Sequence, residues 1–256
     1  MRLRAIEAGE GPKPPLVLLH GLFGQAQNFA TVQKALAAAR RVVALDLRNH
    51  GQSPHGPAMD YPAMAADVAE TLAGLGVGSA VVLGHSMGGK VAMTLALAEP
   101  ALVERLVVAD IAPVDYPPAF RAYAAAMRAM PLSPSLTRRT ADAALAAAVP
   151  DPGVRGFLLQ NLRLDSDPPA WRIGLDEIAE ALPAIEAAPP LREGVQYGGP
   201  TLVLSGENSD YIRAEHRPLF RRLFPAARFA TVKGAGHWVH AERPEGFLAA
   251  VAAFLG

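Results

Sequence analysis

Short, unbroken apolar runs alternate along this chain with longer stretches in which apolar residues recur every three or four positions. Residues 16–19, 41–45, 80–83, 106–109, 201–204 and 227–232 read as strands. A half-exposed strand alternates apolar and polar side chains. A run apolar at nearly every position instead suits a strand covered on both faces, as in a parallel sheet. Residues 2–7 are expected to add an edge strand. Helices are predicted over 28–39, 63–74, 87–98, 214–224 and 244–254. Strand followed by helix, repeated, predicts an α/β fold: a mostly parallel, twisted, doubly wound sheet flanked by helices with right-handed crossovers.

The rhythm breaks from about residue 113 to 199. This stretch is rich in Ala and Pro and shows no strand pattern. Residues 119–130, 137–148, 153–162 and 171–187 read as short helices separated by Pro clusters. The expected organisation is therefore a core made of residues 1–112 and 200–256, with residues 113–199 inserted as a helical lid.

Composition narrows the function classes. At 256 residues the chain is long enough for one large domain, or for a core carrying an inserted subdomain. Lys plus Arg balance Asp plus Glu at 24 each, so there is no basic face of the kind nucleic-acid phosphates require. With no cysteine, disulfides, a thiol nucleophile and Cys-based zinc sites are excluded. The first fifteen residues carry Arg2, Arg4, Glu7, Glu10 and Lys13, unlike a signal peptide. No run of about 18 uninterrupted apolar residues exists, so no membrane span is expected. A soluble, cytoplasmic protein is expected, and a homo-oligomer is left open.

One pentapeptide carries the chemistry. Gly84-His85-Ser86-Met87-Gly88 stands between the predicted strand 80–83 and the predicted helix 87–98. In that setting Gly-x-Ser-x-Gly is a nucleophile elbow, a strand-to-helix turn so tight that flanking Cβ atoms would clash, with the hydroxyl held at a helix N-terminus. A serine hydroxyl needs an adjacent base, and among the seven histidines His237 is the best placed. It lies in Gly234-Ala235-Gly236-His237-Trp238, after the last strand and before the last helix, where loops gather at the elbow's edge of the sheet. His240 is the nearest rival. His85 is read as structural, its side chain pointing away from Ser86.

The imidazolium formed on His237 needs a carboxylate. Asp110 ends the run 106–109, and Asp210 follows the run 201–205 within Gly206-Glu207-Asn208-Ser209-Asp210. The residues alone leave the two open. An oxyanion hole needs N–H donors aimed where negative charge develops. Met87 N–H supplies one. The other is assigned to Leu22 N–H in His20-Gly21-Leu22-Phe23-Gly24, with Phe23 N–H as the alternative. Phe23, Phe120, Tyr123, Met127 and Trp238 are candidates for an apolar substrate pocket; the plainer reading of any one lid residue is packing of lid on core.

Together these residues resemble the α/β-hydrolase superfamily along the whole chain. More closely, they resemble a bacterial esterase/thioesterase subgroup related to the abhydrolase-domain 11 proteins. The likeness rests on His20–Gly24, on Asp46-Leu47-Arg48-Asn49-His50-Gly51-Gln52-Ser53, on Gly84-His85-Ser86-Met87-Gly88-Gly89-Lys90, on Ala109-Asp110-Ile111-Ala112-Pro113 and on Gly234-Ala235-Gly236-His237-Trp238-Val239-His240. The resemblance implies an acid directly after the strand that follows the nucleophile helix, which is Asp110 here. The more common acid position, after the later strand, is filled by Ser209, with Asp210 one residue late. The expected activity is a cofactor-free, metal-free serine hydrolase acting on small-molecule esters or thioesters with short to medium apolar acyl groups. Perhydrolysis and carbon–carbon bond hydrolysis are alternatives on the same triad. A non-catalytic ligand receptor is disfavoured, because no triad member is missing.

Overall fold

The computed structural model describes residues 1–190 and 192–256. Its strands are β1 (Ala5–Ala8), β2 (Lys13–Leu19), β3 (Arg40–Leu45), β4 (Ala80–His85), β5 (Val103–Ala109), β6 (Leu162–Arg163), β7 (Ala170–Trp171), β8 (Thr201–Gly206) and β9 (Ala227–Val232). Seven of them form one sheet in the order β1-β3-β2-β4-β5-β8-β9. All neighbours in that sheet run parallel except β1, which is antiparallel to β3.

The unbroken apolar runs have a simple cause. Successive side chains of a strand point to opposite faces, and both faces are covered. Leu16, Leu18, Val81, Leu83, Val107 and Ala109 pack with Phe29 and Val32 and with Phe247 and Val251 of the last helix. Val17, Leu19, Val43, Val82 and Val108 pack with Met64, Val68, Val91 and Phe220 on the other side. The helices doing this are α1 (Ala30–Leu36), α2 (Tyr61–Gly74) and α3 (Met87–Ala98), then α8 (Arg217–Leu223), α9 (Val239–Glu242) and α10 (Pro244–Leu255). Between β5 and β8 the chain leaves the sheet through α4 (Arg121–Arg128), α5 (Arg138–Leu145), α6 (Pro152–Leu159) and α7 (Leu175–Glu186). The expected lid span 113–199 includes residue 191, which lies outside the described residues.

Some bounds differ from expectation. The edge strand begins at Ala5, because the residues before it bond elsewhere: Leu3 N–H donates to Thr71 Oγ1 at 2.9 Å and Arg4 N–H to Ser53 Oγ at 2.8 Å. The helix expected over 28–39 is a 3₁₀ turn, Ala26–Phe29, followed by α1 ending at Leu36. The inserted stretch contains a two-stranded ribbon, β6 against β7, each of two residues. Strands that short leave no period in a sequence. Trp171 lies in this ribbon, so α7 starts at Leu175 rather than at 171. Among the described residues no helix is long and apolar enough to cross a membrane.

The sheet order places the chemistry. After β2 the chain moves to one side to form β3, then crosses to the other side for β4. The adjacent carboxyl ends of β2 and β4 are thus the topological switch point, where open α/β sheets bind ligands. Leu19 pairs with Gly84 there.

Candidate active site

Ser86 occupies the single residue between β4 and α3, with φ 52° and ψ −123°. This left-handed conformation is costly for a residue with a Cβ. The neighbouring glycines make it sterically feasible: a Cβ on Gly84 would collide with the Gly88 carbonyl, and one on Gly88 with the carbonyls of Leu19 and His20. The hydroxyl therefore stands at the first turn of a twelve-residue helix, α3.

His237 reaches the hydroxyl from the loop after β9. Its Nε2 lies 3.0 Å from Ser86 Oγ, and its Nδ1 lies 2.8 Å from Asp110 Oδ2. Asp110 directly follows β5, at φ 54°, and is fully buried. Its carboxylate accepts from Gly206 N–H at 3.0 Å and from the Ser209 hydroxyl. Asp210 is exposed, its backbone carbonyl accepts from Arg213 Nε, and it lines a cavity that also meets Ser86 and Met87, while His237 Nδ1 is engaged by Asp110. The two aspartates are thus separated by tertiary placement, and Ser209, at the more common acid position, serves Asp110.

The imidazole is held on several sides. Tyr211 stacks on it with centroids 3.9 Å apart and planes 19° apart. His85 Nε2 donates to the His237 carbonyl at 2.8 Å. His85 therefore leans against the histidine loop, its ring 4.8 Å from that of His237. Burial holds His85 well below the usual imidazole range, so it is neutral and carries a single donor. His240 packs on Phe29 and His85, at 4.6 and 4.8 Å between centroids. Burial and the nearby His237 push it down to about 4.

In the loop after β2, Gly24 N–H closes a turn on the Gly21 carbonyl at 3.0 Å. Phe23 N–H donates to His50 Nε2 at 3.0 Å. Among the described residues neither Leu22 N–H nor Met87 N–H donates to a protein acceptor. Asp46 ties this loop to its own, accepting Ala26 N–H at 2.7 Å and Gln52 N–H at 2.8 Å. His20 Nε2 accepts Leu47 N–H at 2.9 Å.

Ser86 sits where two chambers meet. One, of about 240 Å³, has an uncharged wall that includes Phe23, Phe120, Tyr123, Phe157, Leu158 and Trp238. The other, of about 440 Å³, also meets Ser86 and Met87 but carries Lys90, Asp115, Glu186 and Arg213. Of the residues expected to line a pocket, Met127 lines neither. It is fully buried, and its carbonyl accepts Trp171 Nε1 at 3.1 Å, so it packs inside the insertion. Three contributors went unrecognised in the sequence: Tyr211, Phe157 and Lys90. Lys90 Nζ is buried and donates to the carbonyls of Val114 (2.9 Å), Glu186 (3.4 Å) and Ala187 (2.6 Å). Its place in the elbow motif was the one available signal.

Residues 14–244 match the family described as alpha/beta hydrolase fold. The chain is 46% identical to the mouse protein named sn-1-specific diacylglycerol lipase ABHD11, over 96% of this chain and 82% of that protein. It is 36% identical to Esterase YbfF of Escherichia coli strain K12, over 94% and 92%. Among solved structures, one titled Marine microorganism esterase superposes with a TM-score of 0.94 at 35% identity, covering 99% of both chains.

Proposed function

Since this chain belongs to the α/β-hydrolase family and is an enzyme of the esterase/lipase type, we propose that Ser86, His237 and Asp110 form its catalytic triad. The substrates are carboxylic esters and thioesters with short to medium apolar acyl groups. Ser86 Oγ attacks the acyl carbon while His237 Nε2 takes the hydroxyl proton. Asp110 orients the imidazole through Nδ1–H and stabilises its positive charge. The N–H groups of Leu22 and Met87 receive the oxyanion, where fixed dipoles act without reorganising. The imidazolium returns its proton to the departing alcohol or thiol, leaving an acyl-enzyme on Ser86. A water then gives its proton to His237 and attacks the acyl carbon; the imidazolium passes that proton to Ser86 Oγ as the acyl–oxygen bond breaks, freeing the acid and restoring the hydroxyl.

The observation that carries this reading is the unbroken path from Ser86 Oγ to His237 Nε2 at 3.0 Å and from His237 Nδ1 to Asp110 Oδ2 at 2.8 Å. The uncharged chamber beside it, about 240 Å³, is below the roughly 300–1,000 Å³ of most ligand pockets; this supports an acyl group of modest length. Residues 113–199 act as the lid over this chamber, with Phe120, Tyr123, Phe157 and Leu158 contributed from its length. The names of the mouse and Escherichia coli relatives favour ester cleavage over perhydrolysis or carbon–carbon hydrolysis. A panel of p-nitrophenyl esters and acyl-CoA thioesters of graded chain length tests the proposal. The expected result is a stoichiometric burst of nitrophenol followed by slower turnover, with a maximum at short to medium chains. Turnover without any covalent acyl-Ser86 species would overturn the acyl-enzyme route.

A further inference from the structure

We propose that His50 is a positioning residue which, with Asn161 of the insertion, holds Phe23 in its left-handed conformation and so makes Leu22 N–H, not Phe23 N–H, the oxyanion donor of the β2 loop. The inference rests on the acyl-enzyme reading above and deepens it. Two consecutive N–H groups in one tight turn compete for the same role, and only one can point at the acyl oxygen. Phe23 has φ 60°, a conformation that a bulky side chain adopts only when its surroundings impose it. Both ends of its peptide framework are captured. Its N–H donates to His50 Nε2 at 3.0 Å, and its carbonyl accepts Asn161 Nδ2 at 2.8 Å.

The capturing groups are themselves fixed. His50 Nδ1 donates to the Arg48 carbonyl at 2.9 Å, which places the ring proton there and leaves the Nε2 lone pair for Phe23. The ring is fully buried, 5.1 Å from that of His20. Burial, with His20 adding to it, pushes its pKa down to about 3, so the lone pair persists at any working pH. Asn161 is 1% exposed and also anchors the Leu158 carbonyl at 3.2 Å. Leu158 lines the uncharged chamber. The oxyanion loop is thus pinned by the core from one side and by the insertion from the other.

The test compares His50→Phe, His50→Gln and Asn161→Leu with wild type. Phenylalanine fills the space but offers no acceptor, whereas the Gln carbonyl oxygen falls near the position of Nε2. Each protein is assayed with a p-nitrophenyl ester and with a trifluoromethyl ketone, which adds to Ser86 and places an oxyanion in the hole. His50→Phe and Asn161→Leu should lower kcat by about 10- to 100-fold, up to the loss seen when an oxyanion donor is removed, with KM within about threefold. Affinity for the ketone should fall in parallel, and His50→Gln should recover most of both. A folded His50→Phe protein with wild-type kcat overturns the inference, as does a kcat loss that leaves ketone affinity intact. Should His50→Phe not fold, Asn161→Leu decides by the same readouts. Failure of the underlying reading is distinguishable, because wild type itself would then show neither ester turnover nor inhibition by the ketone.

Discussion

At Ser86 the backbone conformation and the chemistry have one origin. Turning a strand into a helix within one residue puts the serine at φ 52° and its hydroxyl 3.0 Å from His237 Nε2. Ser86→Ala removes the nucleophile but no packing, so ester hydrolysis should fall by about 10⁶-fold with an unchanged thermal midpoint; retained turnover would refute the assignment. The two aspartates differ as sharply. Asp110 is fully buried, with three donors converging on its carboxylate, whereas Asp210 is exposed. Asp110→Asn should cost about 10⁴-fold in kcat, because the amide favours the wrong imidazole tautomer. Asp210→Asn should cost far less, because His237 Nδ1 is bonded to Asp110 and not to Asp210. Steady-state kinetics on the pair would give the reverse ranking if Asp210 were the acid.

Among the elements, those buried on both faces were the most legible. Runs such as 80–83 and 106–109 predicted strands, because a central parallel strand has no solvent face to encode. The insertion was less legible, since its helices are short and its ribbon β6–β7 has two residues a strand. Its attachment also depends on contacts distant in sequence. Lys90 on α3 binds carbonyls at both roots of the insertion, Val114 on one side and Glu186 and Ala187 on the other. Burial lowers this lysine to about 8. Lys90→Met removes the donor from the half-buried Val114 and Ala187 carbonyls, while the Glu186 carbonyl keeps Tyr116 N–H at 2.9 Å; a hydrogen bond to a charged group contributes about 1.5–3 kcal/mol. Differential scanning calorimetry should show a lower melting temperature, and limited proteolysis should cut first between residues 114 and 187. Unchanged melting and cleavage would mean that the roots are held by other contacts. Within the same element, Val154 of α6 lines the uncharged chamber. Val154→Trp should shift the ester chain-length profile toward acetate, and an unaltered profile would place the acyl group in the other chamber.

The whole molecule carries a pH dependence built from its buried histidines. His20 and His240 are lowered to about 4 and His50 to about 3, each chiefly by burial. In the unfolded chain the same groups titrate near 6.5. Between pH 6.5 and those folded values the unfolded state binds more protons. Stability is therefore complete above about pH 6.5 and falls as the pH drops, by up to about 1.4 kcal/mol per pH unit for each histidine. Thermal melts followed by circular dichroism should show the midpoint falling from pH 7 toward pH 4, and His240→Phe should flatten the curve. A midpoint independent of pH over that range would contradict it. The sequence by itself determined the layered α/β architecture, the elbow at Ser86 and the loops bearing His237 and Leu22, because each depends on local periodicity, turn sterics and short-range motif chemistry. Residue-level reasoning left Asp110 against Asp210 open, assigned the β2-loop donor to Leu22 with Phe23 as the alternative, and was silent on Tyr211 and Asn161. The contacts around Asp110, Tyr211 and Phe23 depend on where β5, β8 and the insertion bring groups together across separations of about a hundred residues, such as the 96 between Asp110 and Gly206 and the 138 between Phe23 and Asn161. Partners that far apart in the chain leave no periodic trace in it, and only the packed fold selects them.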